Sequence, residues 1–189
     1  MVFSRPPKLS HAQTILYEID MFRYAAAKLS EGKWSSEIEQ WVCLEDFLLH
    51  FRNLIEFFGH SNPRPDDLNV SRPDAIWRHL ESRPAEADLA KLRRQDLWDK
   101  YEGDRPDKIS RYLHHCTEAR TDFKNWDVGV MYAELDPTTK DFERLLSDGS
   151  RPWRPQPAVA ISSVLSASTV SASAPMQVDI TPFLPPAKT

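Results

Sequence analysis

Between residues 10 and 59, apolar side chains return every third or fourth position, the spacing of one face of an α-helix. Ala12, Ile15, Ile19, Phe22, Ala26 and Leu29 form the first stripe. Ser10 and Gln13 at its start have capping-box spacing, in which each side chain satisfies a backbone donor that the helix leaves open. Gly32 marks its end. Ser36 and Glu39 repeat the box and open a second helix, predicted to run to Phe58 with Gly59 as its stop. This helix carries two stripes. Trp41, Leu44, Leu48, Phe51, Ile55 and Phe58 make one, and Phe47, Leu54 and Phe57 lie beside it. So wide an apolar arc must meet more than one neighbour, which makes this the predicted central helix.

Beyond Gly59 the chain is punctuated by proline. Proline at a first helical position loses no hydrogen bond, and an aspartate after it meets the positive end of the helix dipole. Short helices are therefore predicted from Pro73, Pro84 and Pro106, the last reaching Phe123 with Ile109, Leu113, Cys116 and Phe123 apolar. Another begins near Trp126. Asp136-Pro137 is read as restarting a final helix that carries Phe142, Leu145 and Leu146 and ends at Asp148-Gly149. No alternating run is long enough for a strand. The expectation is an all-α fold, a bundle of four main helices with short ones between, over residues 10–150. Residues 1–9 are expected to be flexible. Residues 151–189 are rich in Ala, Ser, Val and Pro and nearly uncharged, so they bury too little to offset their ordering entropy and predict a disordered tail.

Charge narrows the partners. The chain carries a net −4, and Arg151, Arg154 and Lys188 against Asp179 make the tail +2, which leaves −6 on residues 1–150. An acidic domain is a poor match to duplex DNA, where Lys and Arg must replace the counterions of the phosphates. The two cysteines, Cys43 and Cys116, stand far apart in no CxxC pattern and read as small buried hydrophobes in a reducing compartment. With no window resembling a membrane span or a signal peptide, the expected location is the cytoplasm.

Few residues suggest chemistry. Phosphate-binding glycine loops, HExxH and the nucleophile elbow are all missing, so no cofactor is expected. No metal is expected either. His114 and His115 have no acidic partners at helical spacing, and Asp66 and Asp67 near His60 fit turn or capping roles. Within "LLHFRNLIEFFG" a helical wheel puts Arg52 and Glu56 on one border of the apolar arc and His50 on the other, so these polar residues are not expected to cluster. Arg52 and Glu56 read as a border ion pair or as the lip of a groove. Arg120 falls inside the stripe of Ile109, Leu113 and Cys116, where a guanidinium needs a carboxylate; Glu45 and Glu56 are the candidates. Arg52, Glu56, Thr117 and Arg120 are thus the candidate binding residues.

"FLLHFRNLIEFF" at 47–58, followed by "ISRYLHHCTEAR" at 109–120, resembles a group of small bacterial helical proteins without an established activity. Those proteins carry Arg-Asn in a central helix and His-x-Thr with a following arginine in a later one. The pattern is distantly similar to the HEPN superfamily, helical bundles that are often dimeric and include metal-independent ribonucleases. The resemblance implies candidate catalytic residues Arg52, Asn53, His115 and Arg120, with His115 as general acid and base and the arginines holding phosphate. The HEPN histidine is out of register here, since His60 lies too far beyond Arg52 and His115 too close to Arg111. The leading expectation is therefore a non-enzymatic module that binds another protein or a second copy of itself. The alternative is an RNA-cleaving enzyme of a toxin–antitoxin or defence system.

Overall fold

The structure, a computed structural model, describes residues 10–72, 76–77, 84–104, 108–114 and 125–146. Six helices lie within them: α1 (His11–Glu31), α2 (Glu37–Gly59), α3 (Glu86–Lys91), α4 (Gln95–Tyr101), α5 (Ile109–His114) and α6 (Val128–Leu145). Among the described residues there is no strand, so the fold is all-α as the periodicity predicts. Among them, too, no helix is long and apolar enough to cross a membrane. The tail and the segment from His115 to Lys124 lie outside the described residues, as do their expected disorder and helix.

Capping chemistry sets both long helices. Ser10 Oγ accepts from the backbone of Gln13 and the Gln13 side chain accepts from the backbone of Ser10, while Gly32 closes α1 in the left-handed conformation at φ 61°. At α2 the box is shifted by one residue. Ser36 Oγ accepts from Glu39 N–H, but the Glu39 carboxylate reaches back to the backbone and hydroxyl of Ser35. Those bonds hold the Glu39 carboxyl below its ordinary range.

α2 is the centre of the domain and packs against α1, α4 and α5. Phe47, Leu48, Phe51, Leu54 and Ile55 are fully enclosed, and Phe22 of α1 meets Phe47 and Phe51 with ring centroids 5.3 and 6.1 Å apart. Trp41 is only half-buried at the edge of this core, whereas Trp77 is inside it.

Two punctuation marks depart from their expected meaning. Gly59 does not stop α2; it is its last residue, and His60 is the cap. The glycine is needed for packing, because a Cβ there would lie 2.3 Å from the carbonyl oxygen of Arg94. Pro137 does not restart a helix; it lies inside α6. Proline removes the amide that would reach Ala133, yet Met131 and Leu135 before it and Thr139 and Phe142 after it are all buried, so both halves are anchored to one core. Arg94 reinforces the turn before the proline, donating from Nη1 to the Glu134 carbonyl at 2.6 Å and to Thr138 Oγ1 at 3.1 Å. α3 also begins slightly later than Pro84, with Ala85 as its cap.

Candidate functional site

The polar residues of α2 form one chain of contacts, which overturns the expectation that they stay apart. Glu18 of α1 joins them. Its Oε2 lies 2.7 Å from His50 Nδ1 and accepts from Asn53 Nδ2 at 3.0 Å. His50 Nε2 is 3.3 Å from Asp46, one turn earlier. On the other side, Asn53 Oδ1 accepts from Arg52 Nη1 at 3.3 Å, and Arg52 Nη1 pairs with Glu56 at 2.9 Å. A wheel drawn for one helix cannot show this bridge, because the joining carboxylate comes from the neighbour.

His50 is buried between two carboxylates, with the Tyr17 ring edge-on at 5.8 Å. Burial alone would make the imidazolium less stable. The hydrogen bonds to Asp46 and Glu18 and their charges outweigh that and push the pKa of His50 up to about 9. A histidine held protonated at neutral pH cannot serve as a general base. Its role here is a cationic link between α1 and α2.

Arg52 is committed in the same way. Besides Glu56 and Asn53, its Nε lies buried 4.0 Å from Glu102 Oε1, too far for a hydrogen bond. Glu102 itself is buried and turned to α5, accepting from the backbone N–H of Ser110 at 2.6 Å and from the Ser110 hydroxyl. It therefore supplies negative charge at the amino end of α5. The border ion pair expected for Arg52 and Glu56 is present. His115, Thr117 and Arg120 lie outside the described residues, so the structure brings together Arg52, Asn53 and Glu56 and leaves the other three without a place.

Among the described residues a partly buried arginine paired with carboxylates of another helix is Arg23. Its guanidinium donates to Glu143 at 2.9 and 3.0 Å, to Thr139 Oγ1 at 2.9 Å and to Asp136 Oδ1 at 3.2 Å. Lys140 closes on the second oxygen of Asp136 at 2.6 Å, and the Tyr132 hydroxyl donates to the first at 3.2 Å. Burial opposes the charge of Arg23, and Glu143 and Asp136 more than restore it, raising its pKa. Tyr132 is pushed up to about 12 by burial and by Asp136. Sequence reasoning missed this cluster although a signal existed: Arg23 stands four residues after Ile19 and three before Ala26, on the edge of the first stripe.

A third group gathers at the carboxyl end of α2. Glu56 and His60, one turn apart, and Asp67 from the following loop each offer one ligand atom within 4.8 Å of the others. The His60 ring stacks on Trp98 at 4.4 Å, and its Nδ1 is buried without a hydrogen-bond partner. The loop returns tightly: Asn69 Nδ2 donates to the carbonyls of His60 at 2.9 Å and Glu56 at 3.3 Å, and Val70 N–H to that of Phe57 at 2.9 Å. Asp67 plays the turn role expected of it, accepting from Arg64 N–H at 2.7 Å.

Comparison of the chain with known protein families, with curated proteins and with solved structures finds no match.

Proposed function

We propose that the domain acts as a helical binding module that associates with a second copy of itself through the first half of α2. The observation that carries this is a pair of large aliphatic side chains left in solvent: Ile38 is 74% and Val42 59% exposed, one turn apart on the same face of α2. The half-buried Leu49 continues that line two turns further on. Single exposed apolar residues are ordinary, whereas two β-branched residues in register on an otherwise core-forming helix suit the seam of a helix pair. The polar side chains of α2 support the same reading. His50, Asn53, Arg52 and Glu56 are linked to one another and to Glu18, and Nη1 of Arg52 is engaged by Glu56 and Asn53.

Light scattering coupled to size exclusion on the full chain tests this. The expected result is a dimer that becomes monomeric in the double variant Ile38→Glu, Val42→Lys. A wild-type monomer at about 100 µM defeats the proposal, since specific homodimers of ordinary interface size associate well below that. Degradation of added RNA by the wild type, lost in Arg52→Ala, decides for the ribonuclease instead.

A further inference from the structure

We propose that Glu56, His60 and Asp67 bind a divalent transition-metal ion, with Zn2+ the best match to their donor set. This goes beyond self-association and does not depend on it. The cap residue His60 follows Glu56 by four positions, its N–H donating to the Glu56 carbonyl at 3.1 Å, and the loop carries Asp67 over them, so that one ligand atom of each lies within 4.8 Å of the other two. Tetrahedral zinc at about 2.0–2.2 Å from each ligand needs these atoms roughly 3.4 Å apart, a closure that side-chain rotation supplies.

The loop is already fixed in the shape this needs. Arg72 donates to the carbonyls of Arg64 at 2.6 Å and Pro63 at 2.9 Å, and Asn69 ties the loop to the end of α2. Little ordering remains to be done when an ion arrives. The carboxylates also have room for it. Arg52 engages Oε2 of Glu56 and the Arg64 amide engages Oδ2 of Asp67, which leaves Oε1 and Oδ1 for the metal.

His60 adds a second observation, an unpartnered ring nitrogen. A buried imidazole nitrogen with no hydrogen-bond partner is uncommon, and coordination by a ring already held against Trp98 makes use of this histidine. One imidazole with two carboxylates favours a borderline ion over Mg2+ or Ca2+, which take all-oxygen shells. Three protein ligands leave the fourth position to water.

Calorimetric titration of the full-length, tag-free chain with ZnCl2 tests the site, beside Asp67→Asn and Glu56→Gln. The Asp67→Asn variant keeps a side-chain oxygen for the Arg64 amide, so the turn survives, and circular dichroism verifies the fold of each variant. The expected result is one Zn2+ per chain, a rise in melting temperature with zinc, and at least tenfold weaker binding in both variants. The Co2+-loaded wild type should show a visible absorption band that Asp67→Asn loses. MgCl2 should do none of this. No saturable zinc binding, variants that bind like the wild type, or Mg2+ bound as tightly as Zn2+ would each overturn the assignment.

Discussion

A methyl group on Gly59 would sit 2.3 Å from the carbonyl oxygen of Arg94 and 2.9 Å from Cβ of Trp98. The backbone of Arg94 also donates to the Phe58 carbonyl at 2.9 Å, so the two segments are clamped at this distance. In most helices glycine to alanine gains up to about 1 kcal/mol. Here the sign reverses. Gly59→Ala is expected to destabilise by about 3 kcal/mol, because the obstacle is backbone that cannot rotate away. Urea unfolding of the two proteins measures it, and an unchanged or raised midpoint would refute the packing role.

His50 gives the domain a pH dependence of definite sign. Its pKa rises from 6.5 to about 9 on folding, so the folded state holds the proton more tightly. The contribution is complete below about pH 6.5, falls as the pH rises, and is gone above about pH 9. The ceiling is about 3 kcal/mol by proton linkage. The stability gap between wild type and His50→Gln should therefore be large at about pH 6 and close by about pH 9.5. A gap that stays constant across that range would mean His50 is not protonated in the folded protein.

The two arginines of the core border should behave differently. Arg23 is partly buried and donates to three side chains of another helix, Asp136, Thr139 and Glu143, of which Asp136 and Thr139 are buried. Arg23→Ala should cost about 2 kcal/mol, because the buried Asp136 and Thr139 each lose a hydrogen bond from a charged donor. Arg52 has a partly exposed pair one turn along its own helix, and Arg52→Ala should cost only about 0.5 kcal/mol. Equal losses in thermal or urea melts would contradict this division.

Asn69, buried at the base of the 61–70 loop, donates to two carbonyls of α2 and accepts from the amide and hydroxyl of Ser71. Asn69→Ala should lose about 2 kcal/mol by leaving those groups unmet. Amide hydrogen exchange locates the damage. Faster exchange should be confined to the end of α2 and to residues 61–71, and a uniform acceleration over all helices would point to a general core effect instead.

How much of this is legible in the sequence depends on how local each cause is. Ser10, Gln13 and Gly32 act within one turn of α1, and spacing alone identifies all three. Ser36 is legible too, although its partner Glu39 turns to Ser35. Gly59 and Pro137 mislead because their usual meaning is local while their actual roles are tertiary: one makes room for Arg94, and the other is held in line by burial on both sides. The candidate site shows the same limit. Arg52 and Glu56 share a helix, so their pair follows from spacing, whereas Glu18 reaches His50 and Asn53 from another helix and leaves no trace in the periodicity. Glu56 and His60 stand at helical spacing, but Asp67 joins them only once the loop folds back.

The partners of Arg23 lie 113 and 120 positions further along the chain, while Glu18 finds His50 after only 32. During synthesis, then, α1 and α2 can close on each other while the codons for α6 are still untranslated. Throughout that interval the guanidinium of Arg23 faces water, and the hairpin keeps a charged seam where the finished domain has a neutralised one. Among the described helices, the last to emerge from the ribosome is the one that covers it.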